Sequence, residues 1–157
     1  MTIMDGQCAC GATRFRVTRR PIFVHACHCR YCQRETGTAF AQNAILEASA
    51  VELLAGDVDE VLTPSESGKG QIICRCRACK SAVWSIYAGA GPKFRFVRVG
   101  ALEHPGAFPP DIHIYTTSKQ PWVEIPEGAA AVPEYYDARE MWPAESLERF
   151  RAAKNAS

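Results

Sequence analysis

Three thiols crowd into six residues at Cys27-His28-Cys29-Arg30-Tyr31-Cys32, and two further groups, Cys8-x-Cys10 and Cys74-x-Cys76-x-x-Cys79, complete the chain's eight cysteines. Every one lies two or three positions from another. That spacing suits chelation of a single ion better than cross-linking of distant strands, whose disulfides need convergent Cβ vectors on separate segments. In extended backbone, side chains two apart share a face, so Cys27 and Cys29 converge and the Cys29-x-x-Cys32 turn adds a third sulfur. Three thiolates on one ion leave a fourth position, of the kind catalytic zinc keeps open. The protein itself can close it: His25 shares parity with Cys27 and Cys29, and Cys74 is a further candidate.

Other residues near the thiols bear on the same chemistry. Arg30, Arg34, Arg75, Arg77 and Lys80 sit within a few positions of cysteines, where they can offset thiolate charge, receive the carboxylates of an acidic thiol, or simply be solvated surface. His28 points away from its cysteine neighbours, which suits packing or support of the ligands better than ligation. His113 lies opposite Ile112 and Ile114, a solvent-facing position in an ordinary sheet. Trp122 reads as packing, with an apolar wall beside the trio as the sharper alternative.

These groups must be positioned by a single domain, since the chain has 157 residues, 47% of them hydrophobic. With 18 basic and 17 acidic residues the net charge is +1, so no whole-surface field favours nucleic acid or an anionic membrane. The first six residues lack a signal peptide's charged head and apolar run, and no stretch approaches the roughly 18 apolar residues of a membrane span. The reading is a soluble, cytoplasmic protein, in a compartment that keeps thiols reduced.

Alternation predicts strands over residues 13–18, 22–26 and 38–48, the second delivering the chain into the trio. Residues 51–54 and 58–62 read as a pair joined around Gly56-Asp57, with a helical alternative over 45–55. Further strands are expected over 71–76, 82–87, 94–99 and 112–115, the third and second of these an antiparallel pair joined by the glycine-rich turn at 88–92. Residues 144–153 form the one expected helix, with Leu147, Phe150 and Arg151 inward. The fold class is mainly β.

Taken together, Gly6-x-Cys8-x-Cys10-Gly11, then Cys27-His28-Cys29-x-x-Cys32-x-Arg34-x-x-Gly37, then Cys76-x-x-Cys79, resembles the glutathione-dependent formaldehyde-activating enzyme and centromere protein V family. The resemblance spans residues 5–122 and leaves 123–157 as a tail with a short helix packed on the same domain. It implies a β-tent fold of small antiparallel sheets built on two zinc ions per chain. One is a structural zinc on Cys8, Cys10, Cys76 and Cys79, and the other is associated with activity, on Cys27, Cys29 and Cys32. The first set also follows from the residues alone, because joining two sequence-distant pairs closes a four-thiolate tetrahedron that ties the chain's start to its middle.

The implied activity is that of a carbon–sulfur lyase acting on adducts of a small thiol such as glutathione with formaldehyde or a similar carbonyl. Arg30 and Arg34 are then candidates to hold the thiol's acidic groups, and His113 to pass a proton. The alternative is a non-enzymatic zinc module that binds a protein or chromatin partner. Two features depart from the family pattern: Lys80 stands where glycine is usual after the last cysteine, and Cys74 is extra.

Overall fold

A computed structural model describes residues 3–157. Among the described residues ten strands form two sheets. The smaller has three, β1 (Met4–Gln7), β2 (Arg14–Val17) and β5 (Val51–Ala55), in the order β1-β2-β5. The larger has seven, in the order β10-β3-β4-β9-β8-β7-β6. They are β3 (Phe23–Cys27), β4 (Ala41–Glu47), β6 (Val58–Thr63), β7 (Gln71–Cys76), β8 (Ala82–Tyr87), β9 (Phe94–Arg98) and β10 (Ile112–Ile114). All neighbours pair antiparallel except β10, which runs parallel to β3. The mainly β expectation holds, and no helix among the described residues is long and apolar enough to cross a membrane.

β3 is buried on both faces, and its alternation divides the interior. Val24 joins a core with Phe15, Val17, Trp84 and Val97, whereas Phe23 and Cys27 join a second core with Ile45, Phe94, Ile112 and Ile114. The second core is roofed by the tail. Helix α2 (Ala138–Met141) starts from an Asp137 cap, and α3 (Ala144–Asn155) lays Leu147, Phe150 and Ala153 against the same core. Arg151 is exposed; Ser146 is buried instead, its hydroxyl donating to the Ile22 carbonyl at 2.6 Å.

The expected pairing of residues 51–54 with 58–62 is not made. β5 closes the small sheet against β2, and β6 forms the edge of the large sheet against β7. Gly56 serves a crossing between sheets rather than a hairpin: at φ 75°, an added Cβ would stand 2.4 Å from the Ala12 carbonyl oxygen. Nor is there a helix over 45–55, only a single 3-10 turn at Ala48–Ala50. Sequence periodicity gave no sign of α1 (Arg30–Thr36), a seven-residue helix that ends on Gly37 in the left-handed region.

Candidate functional site

The Cys29-x-x-Cys32 turn is the start of α1. Cys29 occupies the N-cap, and its Sγ accepts the Cys32 N–H at 3.3 Å, so one sulfur both caps the helix and faces Cys27 and Cys32. The three sulfurs lie within 4.8 Å of one another. Hydrogen bonds from Cys27 and Cys32, supported by the backbone N–H groups of Cys32 and Tyr31, pull the Cys29 thiol down to about 3, while the same pairing and burial push Cys27 up.

Buried Gln33 holds this stretch in place. Its Nε2 donates to the carbonyls of His28 at 2.7 Å and Ser118 at 2.9 Å, and its Oε1 accepts from Gln120 Nε2 at 2.7 Å. The cysteine run is thereby tied to residues 118–120, a link that no spacing in the sequence announces.

Cys8, Cys10, Cys76 and Cys79 form the second group, again within 4.8 Å. The Cys8–Cys10 and Cys10–Cys76 sulfurs are 3.6 and 3.9 Å apart. Four thiolates about 2.3 Å from a zinc ion sit about 3.8 Å from each other, so these separations fit a metal and are far too long for a disulfide. All eight cysteines are free thiols. The Thr13 N–H donates to Cys8 Sγ at 3.2 Å, and Cys79 Sγ lies 3.0 Å from the Ser81 hydroxyl, whose hydrogen bond draws the Cys79 thiol down to about 5. Both clusters can therefore hold a metal ion, and sulfur donors in these numbers suit zinc.

Neither candidate for closing the trio does so. Cys74 lies in the other core beside Trp84. His25 does face the trio's side of the sheet, yet its Nε2 is hydrogen-bonded to the Tyr136 hydroxyl, and burial drives the imidazole down to about 3. The trio opens instead into a cavity of about 380 Å³ that all three cysteines line. Lys69 and Glu66 stand at its exposed rim.

The other polar candidates lie elsewhere. His113 is buried rather than solvent-facing: parallel pairing sets it beside Ala26, on the face opposite Cys27, where its Nδ1 meets His28 Nε2 at 2.9 Å and Phe40 covers both rings. It does not line the trio's cavity. His28 is likewise a buried packing group.

Arg30 and Arg34 are exposed and also outside the cavity, because α1 turns its basic face to solvent. Arg75 is bound to Glu35, which also accepts Arg98 at 2.9 Å; Arg77 and Lys80 pair with Asp59 at the surface. Trp122 is 73% exposed; the cavity's tryptophan is Trp142. Sequence reasoning also missed Tyr115, whose left-handed φ of 54° turns it toward the cavity, and Tyr135 in the tail.

The profile of the glutathione-dependent formaldehyde-activating enzyme family matches residues 3–118. The chain belongs to that family. A Halomonas elongata protein provisionally named a glutathione-dependent formaldehyde-activating enzyme is 26% identical over 134 residues, spanning 78% of this chain and 81% of its own. A crystal structure of a Rhodobacter sphaeroides protein is similar at a TM-score of 0.48, with 22% identity, covering 64% of this chain and 88% of that one. The family match takes in both cysteine clusters and stops before the tail.

Proposed function

We propose that this protein is a zinc-dependent carbon–sulfur lyase that joins a small thiol to a carbonyl compound, or splits the adduct, at Cys27, Cys29 and Cys32. One observation carries the reading: the trio is not sealed by a fourth side chain but opens into a cavity. A closed site would have favoured a purely structural metal. Family membership supports the reaction class. Zinc on these three thiolates would supply a fourth position that stabilises a thiolate at neutral pH, being too electron-rich for strong Lewis acidity.

The chain's own residues set the geometry. Cys29 is fixed by its helix cap, Cys27 by the β3 ladder and Cys32 by the first turn of α1, so the sulfurs are preorganised before anything binds. In the forward direction the thiol sulfur forms a bond to the carbonyl carbon, the carbonyl π electrons pass to oxygen, and the thiol proton ends on that oxygen, with nothing lost. Tyr115, which lines the cavity with Cys27 and Cys29 and is pushed up by burial, keeps its hydroxyl protonated and is a donor available to steady that oxygen.

The test is adduct formation between glutathione and formaldehyde measured against the uncatalysed background, for wild type and Cys29→Ser, together with the visible spectrum of the cobalt-substituted protein. A thiol-dependent shift of the cobalt bands and a rate lost in Cys29→Ser are expected. No spectral change and no rate above background with any thiol would leave a binding module.

A further inference from the structure

The cavity is built from two sources. The family-matched segment contributes the sulfurs with Tyr87, Phe96 and Tyr115, whereas Tyr135, Trp142 and Phe150 come from the tail beyond residue 118. The tail is not loosely apposed. Trp142 Nε1 donates to the Tyr136 hydroxyl at 2.7 Å, that hydroxyl meets His25, and Phe150 stacks on Phe94 with centroids 4.2 Å apart. His25 is thus a clasp between sheet and tail, which accounts for a buried histidine beside the trio that ligates nothing.

The interior so enclosed is apolar beyond what the charges of glutathione or the single carbon of formaldehyde call for. Glutathione carries two carboxylates and an ammonium, but the charged side chains lining the cavity are the rim pair Glu66 and Lys69, and His25 is taken up by the Tyr136 hydroxyl. Formaldehyde adds one carbon, little larger than the roughly 30 Å³ share of a water molecule, whereas an apolar cavity of about 150 Å³ already admits benzene. At 380 Å³ this one has room for a ring and the reacting atoms, and it is walled by aromatic faces.

We infer that the substrate is a thiol–aldehyde adduct bearing an apolar group of aromatic side-chain size, which the tail selects by packing against Tyr135, Trp142 and Phe150. This rests on the trio being the reaction site and goes on to name what occupies the space beside it. The apolar group can be brought by either partner, thiol or aldehyde, and the experiment separates the two.

Two matched pairs are titrated into the cobalt-substituted full chain carrying Trp84→Phe and Trp122→Phe, with the cobalt bands reporting the metal and the fluorescence of the remaining tryptophan reporting Trp142. Phenylmethanethiol is compared with ethanethiol. Phenylacetaldehyde is compared with acetaldehyde in the presence of saturating ethanethiol. The phenyl member of at least one pair should bind at least about tenfold more tightly, as burial of ring-sized apolar area requires. Ala90→Phe, which fills the cavity from its wall, should reduce that preference to below about threefold while ethanethiol still shifts the cobalt bands; Ala138→Phe serves if the first variant does not fold.

Equal affinities within both pairs, or a preference untouched by the filling variant, would overturn the inference even with normal cobalt shifts. Cobalt bands silent to every thiol would instead strike at the reaction site itself, whatever the fluorescence showed.

Discussion

Cys8 and Cys10 reach across 66 residues to meet Cys76 and Cys79, whereas Cys27, Cys29 and Cys32 are drawn from one strand end and the helix that follows it. The first cluster has four sulfurs, and it pins the β1–β2 loop of the small sheet to the end of β7 and the turn into β8 in the large one. The second has three, and its fourth side is a cavity. Under the proposed function, the same ligand atom would serve stability where its donors are distant in sequence and chemistry where they are local and one short.

The comparison breaks most visibly if the wrong cluster holds the fold. Cys76→Ala should unfold the chain, because structural zinc in small domains contributes an apparent 10–16 kcal/mol, roughly the whole stability of a domain. Cys29→Ala should keep its fold, and circular dichroism melts that coincide for the two variants would end the distinction. Next in size is metal removal. Elemental analysis should give two zinc ions per chain when fully loaded, and a graded chelator should take the trio's metal first with the near-ultraviolet spectrum intact, then the other with loss of structure. Simultaneous release would merge the two roles.

Gln33→Ala probes the support of the trio alone. It leaves the half-buried Ser118 carbonyl without the amide donor and the buried His28 carbonyl with the Ser118 hydroxyl alone, at a cost of about 1–3 kcal/mol in chemical denaturation, and should weaken thiol binding to the cobalt form as well. Stability loss without any effect on thiol binding would show that the trio needs no such support. The smallest effect concerns the turns that follow each cluster. Gly37 and Lys80 both adopt the left-handed conformation, at φ 65° and 64°, but only the first is glycine. Lys80→Gly should therefore stabilise the protein by about 1 kcal/mol, less whatever the exposed pair with Asp59 contributes, and a lowered melting temperature would contradict that.

Much of this was legible in the sequence because chelation and strand alternation are local signals. The cysteine groups, the strand entering the trio and the helix at 144–153 can each be read from a window of a few residues. What failed was whatever depended on distant partners. Gly56-Asp57 carries a turn signal, but its backbone is committed to passing Ala12, whose carbonyl lies too far off in sequence to be anticipated. His113 looked wet because alternation reports which face a residue takes, not whether the other face is covered, and here Phe40 and His28 cover it. The arginines of α1 were near the thiols in sequence yet turned away once the segment became helical. Tyr135 and Trp142 lie about a hundred residues from the trio, and nothing in an isolated tail says which cavity its rings will roof.

The 66-residue gap between Cys10 and Cys76 also sets a timetable. At about 5–20 residues per second on the ribosome, Cys8 and Cys10 would emerge roughly 3–13 s before their partners exist. Throughout that interval they form half a site, while the trio has all three of its thiols within six residues. An ion captured early by the trio faces no competitor of equal valence, but the waiting pair is exposed to oxidation or to pairing with the wrong thiols. The hazard for this chain therefore falls during synthesis, and it falls on the cluster whose two halves are made furthest apart.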